Sequence, residues 1–232
     1  MRNNHLLRGE RSYDGILPVS RSRSKAKQFY DRISRFYDYI TGGFERRISE
    51  KALSYLSISA GETILEVGNG SGYSLERMAN LVGDEGWASG LDLSSGMAEE
   101  AKRRLENARL LDRAGVICGD ALRIPFREGT FDAVLMSFTL ELFDTPDIPV
   151  VLREARRSLK HGGRLAVASL SRIGSSSLML RLYEWAHMTW PTYVDCRPIY
   201  VERALREAGF EATISEKDTM YGLPIEIVVA QK

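Results

Sequence analysis

Three glycines at alternate positions, Gly68, Gly70 and Gly72, follow a short apolar run that begins at Thr63. An apolar run of this length predicts a buried β-strand, and residues 71–81 predict a helix. Glycine lets the backbone turn sharply and approach a ligand, and the first N–H groups of a helix are free to donate hydrogen bonds. The segment therefore predicts a strand, a turn and a helix that together bind part of a nucleotide-like cofactor.

The spacing of these glycines indicates which cofactor is bound. In the dinucleotide fingerprint G-x-G-x-x-G, the third glycine would fall at Tyr73 or at Leu75, depending on where the pattern starts. Neither residue is glycine, so the spacing disfavours an NAD-dependent oxidoreductase. An acid, Glu66, stands two residues before the first glycine and belongs to the same motif.

The rest of the chain alternates between predicted strands and helices, which favours an α/β fold with a mostly parallel sheet covered by helices on both faces. Two final strands, at 210–217 and 225–230, follow a helix at 198–208 and predict an antiparallel pair at one sheet edge. The earlier strands are predicted at 63–67, 87–92, 115–118, 131–137 and 164–170, and the helices between them at 71–82, 95–113 and 147–160.

A carboxylate follows each of two successive strands. Asp92 ends the strand at 87–92, and Asp120 follows the strand at 115–118. In an open α/β sheet, the ligand lies at the carboxyl ends of the strands. A carboxylate there can accept hydrogen bonds from a ribose diol, as we expect of Asp92, or from an exocyclic amine such as that of adenine, as we expect of Asp120.

The N-terminal part differs in charge from the remainder, and we predict two parts, a basic arm with an amphipathic cap helix at 1–45 and a cofactor-binding domain at 46–232. Seven basic and two acidic residues precede Phe29, whereas the whole chain of 232 residues has a formal charge of only +1. Apolar residues at helical spacing predict a helix over 25–40, ended by Gly42-Gly43. Such an arm is either solvated or attracted to an anionic membrane through residues 1–40. The small net charge of the whole chain argues against binding to nucleic acid.

The two cysteines, Cys118 and Cys196, lie far apart and form no metal-ligand spacing, so we expect no metal and a reducing compartment. No apolar run approaches the ~18–20 residues of a membrane span, and the N-terminus lacks the apolar stretch of a secretory signal. We therefore expect a cytoplasmic protein that meets a membrane only at its surface. No feature of the sequence indicates its oligomeric state.

Taken together, these motifs resemble the class I S-adenosylmethionine (SAM) methyltransferases, in particular the ubiquinone/menaquinone-biosynthesis type and related phospholipid N-methyltransferases. The resemblance covers roughly residues 28–230 and implies a Rossmann-like, seven-stranded sheet and SAM as the cofactor. The matching stretches are residues 30–38, 66–72, 90–97, 119–126 with Phe131-Asp132, and 159–164.

The resemblance also implies which residues bind the cofactor. Glu66 would contact the methionine amine, Asp92 the ribose, and Asp120 with Ala121 the adenine. The backbone of Ser137 would hold the amino-acid end. The full set implied is Glu66, Gly68, Asn69, Gly70, Gly72, Asp92, Leu93, Met97, Asp120, Ala121 and Ser137.

Candidates for the acceptor side are fewer. Tyr30 and Tyr37 lie on one face of the predicted N-terminal helix and could close over the methyl donor. Glu141 follows the strand at 131–137, where the acceptor is expected, and is a candidate catalytic acid or base. Methyl transfer from a sulfonium needs mainly alignment and exclusion of water, so no metal or covalent nucleophile is required.

Residues 182–193 are unusually aromatic and are flanked by Arg181 and Arg197, which predicts acceptor binding by Tyr183, His187 and the flanking Arg197. Aromatic faces can hold a methylated ammonium group or cover a quinone ring, and arginine can pair with a phosphate. A patch of core or dimer contacts is an equally good interpretation of the same residues.

Two acceptors are therefore predicted for a SAM-dependent methyltransferase acting on a small amphiphilic molecule. The first is a phospholipid head-group amine of the phosphatidylethanolamine type, which suits the basic arm and the aromatic segment. The alternative is C-methylation of a demethylated quinol, which suits the general family pattern. A non-catalytic SAM-binding protein is the alternative from another class.

Overall fold

The computed structural model describes residues 16, 19, 22–173, 178–189 and 196–232. These residues form a seven-stranded sheet with helices on both faces, which confirms the predicted fold class. The strands are β1 (Thr63–Val67), β2 (Trp87–Asp92), β3 (Ala114–Cys118), β4 (Phe131–Ser137), β5 (Leu159–Leu170), β6 (Glu211–Met220) and β7 (Leu223–Gln231).

The strand order is β3-β2-β1-β4-β5-β7-β6, and the chain reverses its direction across the sheet between β1 and β4. Neighbouring strands from β3 to β5 are parallel, whereas β7 is antiparallel to both of its neighbours. The predicted antiparallel pair at the sheet edge is thus confirmed. Since ligands bind where the strand order reverses, this topology places a site at the carboxyl ends of β1 and β4.

The helices are α1 (Arg23–Ile33), α2 (Tyr37–Leu56), α3 (Tyr73–Val82), α4 (Ser95–Ala108), α5 (Ile148–Ser158), α6 (Leu178–Thr189) and α7 (Val201–Glu207). Short 3-10 turns occupy Ser34–Phe36, Ala121–Arg123 and Leu140–Leu142. No helix among the described residues is long and apolar enough to cross a membrane.

Two apolar clusters fill the space on the two faces of the sheet. Consecutive residues of β1 contribute to different clusters, with Ile64 in one and Leu65 in the other, as the alternating side-chain directions of a strand require. Both residues are fully buried. The central strands are therefore apolar on both faces, and polar groups collect at the strand ends.

The N-terminal helices differ from the prediction. The chain breaks at the 3-10 turn Ser34–Phe36, and Gly42-Gly43 lies inside α2 instead of ending a helix. A glycine in a helix costs only ~1 kcal/mol relative to alanine, and α2 buries Ile48 and Leu56 completely against the sheet. That burial offsets the cost of the glycines. The predicted division after residue 45 falls within this helix.

Several other element boundaries also differ from the prediction, two of them by five residues. Helix α4 ends at Ala108, where Arg109 adopts a left-handed conformation and caps it. Strand β5 begins at Leu159, five residues before the predicted start, because an irregularity in its pairing with β4 lets the turn at Gly162 remain part of the strand.

Candidate functional site

The turn after β1 needs its glycines for conformational and steric reasons. Gly68, Gly70 and Gly72 all have positive φ angles, of 72°, 49° and 83°, a region that side chains disfavour. A Cβ atom on Gly68 would lie 2.4 Å from the side chain of Thr139, and one on Gly72 would lie 2.8 Å from Cβ of Ala101. The turn can therefore pass between β4 and α4 only without side chains at these positions.

Asp92 connects this turn to the end of β2. Its carboxylate accepts hydrogen bonds from the N–H of Gly70 at 2.9 Å and from the N–H of Ser94 at 2.8 Å. Burial raises the pKa of Asp92, although these two N–H groups oppose the effect. The acid is thus oriented before any ligand arrives, as an acceptor for a ribose diol should be.

Glu66 is a buried acid with unused hydrogen-bonding capacity. Only 3% of the residue is exposed, and burial raises the pKa well above its ordinary value against hydrogen bonds from Ser74 and Leu75. Its Oε2 atom, like Oδ1 of the neighbouring Asn69, has no hydrogen-bond partner among the described residues. A buried carboxylate oxygen without a donor is costly, so its place suits a ligand that brings an ammonium group.

A cavity of about 330 Å³ lies over the carboxyl ends of β1, β2 and β4, within the ~300–1,000 Å³ of ordinary small-molecule sites. A smaller cavity of about 70 Å³ adjoins it and contains Glu66 and Asn69 in its wall. Both cavities share Tyr37, Gly68, Gly70, Ser137 and Phe138. Of the predicted cofactor residues, the larger one also has Asp92, Leu93, Met97, Asp120 and Ala121 in its wall, and only Gly72 lines neither.

Phe138, at the junction of the two cavities, was not predicted as a site residue from the sequence. Its φ angle is +50°, which is uncommon for an aromatic residue and occurs mostly where function requires it. It follows β4 directly, and its N–H donates to the carbonyl of Ala168 on β5. The sequence signal that could have indicated it is its position at the end of the strand beside the topological reversal.

Helix α1 covers the larger cavity and is held by its acidic residue Asp31. The Asp31 carboxylate accepts hydrogen bonds from the Ser94 hydroxyl at 2.6 Å, the Gly96 N–H at 3.0 Å and the Lys27 ammonium at 2.8 Å. It therefore places a negative charge at the N-terminus of α4, where the helix dipole favours one. Although burial acts in the opposite direction, these three donors lower the pKa of Asp31 to about 2.

The same helix reaches the acid expected to bind adenine. Arg23 donates to Asp120 at 2.6 Å, and the other oxygen of Asp120 accepts from the Leu122 N–H at 3.0 Å. Two residues of the predicted basic arm, Arg23 and Lys27, are thus paired with acids and line the cavity. The basic residues of the arm before residue 22 lie outside the described residues.

Tyr30 and Tyr37, the two predicted aromatic catalytic residues, both line the larger cavity. Their ring centroids are 6.2 Å apart, and the Tyr37 hydroxyl donates to Glu45 at 3.4 Å. The structure thus brings them together in the part of the cavity wall formed by α1 and α2. Phe143 and Asp144, which sequence reasoning did not select, line the cavity from the β4 side.

Glu141 takes a different position from the one expected. It is completely buried, is absent from the cavity wall, and accepts a hydrogen bond from the Leu170 N–H at 3.4 Å. Burial raises its pKa to about 8. A residue just past a strand end can face the core as readily as the ligand, and here Glu141 faces the end of β5.

The three predicted acceptor residues on and after α6 also lie outside the cavity wall. The Tyr183 hydroxyl donates to the carbonyl of Cys196 at 3.1 Å, and His187 is buried. Arg197 is fully buried and donates to the Thr145 hydroxyl at 3.1 Å and to the carbonyl of Phe143. Arg197 therefore supports the loop that carries part of the cavity wall. Trp190 and Tyr193 of the same segment lie outside the described residues.

Among the residues that the structure describes, no group of three or more histidine, cysteine, aspartate and glutamate side chains is arranged to hold a metal ion. The site is instead an oriented pair of strand-end acids, a glycine turn and a covered cavity. Such an arrangement suits a nucleoside-containing cofactor.

Comparisons with known proteins identify the family. The methyltransferase domain family matches residues 64–163. A 2-phytyl-1,4-naphtoquinone methyltransferase from Synechococcus elongatus is 31% identical over 166 residues, which cover 68% of each chain. The ubiquinone/menaquinone biosynthesis C-methyltransferase UbiE from Roseobacter denitrificans is 29% identical, over 70% of this chain and 65% of that protein. The chain thus spans about two thirds of the length of these curated relatives.

The crystal structure of the [4+2]-cyclase SpnF shares the fold, with a TM-score of 0.75, 19% identity and coverage of 93% of this chain and 97% of that one. Because a cyclase has the same fold, the fold alone does not decide the reaction. The family is assigned from the sequence relatives, and the chain belongs to the class I SAM-dependent methyltransferases. SAM is accordingly its cofactor. The partnerless Oε2 of Glu66, the glycines of the turn and the oriented carboxylate of Asp92 fit that molecule.

Proposed function

We propose that this chain transfers a methyl group from SAM to a ring carbon of a demethylated quinol. The observation that carries the proposal is that the two cavities share Ser137 and Phe138 in their walls, together with the aromatic side chains that line the larger cavity. Tyr30, Tyr37 and Phe143 line the larger cavity and suit a flat aromatic acceptor. The relatives named as quinone methyltransferases support this acceptor class.

The cofactor's two ends are matched by groups in different cavities. Asp92 and Asp120 line the larger cavity, on the side expected to hold the nucleoside, and Glu66 lines the smaller cavity, expected to hold the methionine end. The residues common to both cavities therefore mark the region between the two ends. An acceptor bound in the larger cavity against Tyr30 and Phe143 would lie next to that region.

SAM supplies an electrophilic methyl group whose bonding electron pair stays on sulfur when the methyl group leaves. A ring carbon of the quinol would take this methyl group with an electron pair of the ring and would then release its proton. The protein must align the ring and exclude water, which we assign to the aromatic wall and to α1. Asp144 and Asp147 are the carboxylates of the cavity wall that follow β4, and we expect one of them to accept the hydroxyl proton of the quinol.

The phospholipid amine predicted first has weaker support. The aromatic and arginine side chains expected to bind a head group, Tyr183 and Arg197, lie outside the cavity wall. Peripheral contact with an anionic membrane through residues 1–40 stays a prediction. Two of the basic residues of this segment, Arg23 and Lys27, already pair with Asp120 and Asp31.

The test is transfer of a labelled methyl group by the full chain, with demethylated naphthoquinol under reducing conditions in one arm and phosphatidylethanolamine vesicles in the other. We expect label on a ring carbon of the quinol, established by mass spectrometry of the fragmented product. The variant Asp92→Asn, compared at equal concentration, should reduce the label. Label on the lipid amine would overturn the proposed acceptor, and binding of SAM without transfer to either acceptor would favour the non-catalytic alternative.

A further inference from the structure

Helix α6 presents a row of large apolar side chains to solvent. The row consists of Met179, Leu182, Trp185 and Met188, which are between 48% and 69% exposed. Residues that recur every three positions lie on one half of a helix circumference, so these side chains form a contiguous surface, which we call the α6 row. Single exposed apolar residues are ordinary on a protein surface, whereas a contiguous group of them marks an interaction site.

The opposite face of α6 is also apolar and fixes the helix on the domain. Leu180 is buried, and with the partly buried Tyr183 it packs against the apolar cluster that residues of α2 and β7 also form. The Tyr183 hydroxyl donates to the carbonyl of Cys196 at 3.1 Å, and Glu184 pairs with Arg172 just after β5. Because these contacts anchor α6, the helix cannot bury the α6 row by rotating about its axis.

The turn between β6 and β7 places a further exposed aromatic residue beside α6. The turn consists of Tyr221 and Gly222, since Met220 pairs with Leu223, and its two residues have positive φ angles of 52° and 79°. Asparagine or glycine is favoured at the first position of such a turn, yet a tyrosine that is 66% exposed occupies it. A Cβ atom on Gly222 would lie 3.6 Å from Cγ of Met179. The turn therefore adjoins the α6 row at its Met179 end.

The composition of this surface favours an anionic lipid bilayer as its partner. Arg181 is the one mostly exposed charged residue among the described side chains of α6, because Glu184 is paired and His187 is buried. Tryptophan and leucine beside a basic residue are typical of helices that lie in the interface of a bilayer, where arginine can extend to the head groups. A stable contact between two protein chains needs about 20–30 residues from each chain, whereas the α6 row and the turn offer five large apolar side chains.

We propose that the α6 row, together with Tyr221, inserts into the head-group region of an anionic bilayer and attaches the protein to a membrane surface. This surface is separate from residues 1–40, and the inference does not depend on the identity of the methyl acceptor. Arg197, which follows Cys196, donates to the carbonyl of Phe143, and Phe143 lines the larger cavity. The bilayer would therefore contact a helix that is linked to the wall of that cavity.

The first experiment measures co-sedimentation of the full chain with phosphatidylcholine vesicles that contain phosphatidylglycerol, without SAM or acceptor. Since burial of one large apolar side chain changes a binding constant ~10-fold, Leu182→Gln and Trp185→Gln should each weaken binding by about that factor. Leu111→Gln is the matched control, because Leu111 is 45% exposed but lies outside α6, and it should bind as the wild type does. Arg181→Gln should weaken binding ~5-fold on these vesicles and leave binding to phosphatidylcholine alone unchanged.

A second experiment uses Trp185 itself as the probe. In the chain with Trp87→Phe and Trp190→Phe, Trp185 is the one tryptophan that remains. Its fluorescence emission should shift to shorter wavelength on the anionic vesicles, and lipids brominated on their acyl chains should quench it. SAM affinity measured by calorimetry should equal that of the wild type in every variant, which separates a loss of vesicle binding from a loss of the fold.

Three results would overturn the proposal. The first is no vesicle binding by the wild type, and the second is equal binding by the wild type and the double variant Leu182→Gln/Trp185→Gln, which would assign the contact to another part of the chain. The third is a dimer that forms without lipid and that the same double variant dissociates in sedimentation velocity, which would assign the α6 row to a second copy of the chain. Failure of quinol methylation would leave the proposal intact.

Discussion

Replacing Asp31 with asparagine removes the negative charge with which α1 is held against the N-terminus of α4. The shape of the side chain is nearly unchanged, and its oxygen can still accept from the Gly96 N–H. A pKa that falls from 3.8 to about 2 corresponds to ~2 kcal/mol in favour of the charged, docked form. Since 29% of the side chain is exposed, solvent screening reduces this, and we expect a loss of about 1–2 kcal/mol.

Amide hydrogen exchange of α1 measures this loss directly. An isolated helix of 11 residues is marginal in water, so its amides exchange when α1 undocks. A loss of 1–2 kcal/mol raises the undocked population ~5- to 30-fold, and exchange over residues 24–33 should accelerate by that factor. Exchange in the central strands should remain at the wild-type rate, because they open only with the whole fold.

The sign of the pH dependence follows from the lowered pKa. The stabilisation is fully present above about pH 4 and is lost as the pH falls towards 2. The matched control is Asp112→Asn, whose carboxylate also has a lowered pKa, beside Arg113, but lies on the surface away from α1. Equal exchange of α1 in the wild type and Asp31→Asn would refute the reasoning, and so would an equal acceleration in the control.

Three other substitutions test separate parts of the structure. Glu141→Gln should raise the free energy of unfolding by several kcal/mol at pH 8, measured by denaturant titration. The wild type loses stability as the pH rises from about 4.5 to about 8, because the folded state keeps a proton that the unfolded state releases; a wild-type curve that is flat over this interval would contradict the burial argument. Gly68→Ala should lower the free energy of unfolding by ~1–3 kcal/mol more than Gly129→Ala, because Gly129 has a similar φ of +62° but open space around it. Equal decreases of the thermal unfolding midpoint in the two variants would show that the side chain of Thr139 moves away without cost. Asp92→Asn should weaken SAM binding ~10-fold or more by calorimetry, and unchanged affinity would remove this acid from the cofactor site.

The glycine turn and the strand-end acids could be recognised from the sequence because their signals are local. An apolar strand, a turn that tolerates only glycine, and an acid at a strand end each occupy a few consecutive residues. The same holds for β1, β2 and β4, whose bounds match the prediction. The predicted start of β5 was wrong because glycines usually end an element, whereas here an irregular pairing with β4 keeps them within the strand.

The acceptor side could not be predicted in the same way. The aromatic composition of their segment led to the prediction that Tyr183 and His187 bind the acceptor. Composition does not determine which direction a side chain faces, and neither Tyr183 nor His187 lines the cavity. The contact of Asp31 with Ser94 joins residues 63 positions apart, and the contact of Arg23 with Asp120 joins residues 97 positions apart. Such relationships exist only after α1 and α2 have packed against α4 and the sheet.

The sequence by itself determined the class of fold, the glycine turn and the acids expected to hold a nucleoside, since these follow from hydrophobic period, backbone freedom and position at strand ends. The tertiary structure decided which polar groups meet. It left Oε2 of Glu66 without a hydrogen-bond partner among the described residues, placed Glu141 in the core and brought Tyr30 to the cavity wall. The physical reason is that burial and hydrogen bonding depend on neighbours from distant parts of the chain, which packing alone brings together.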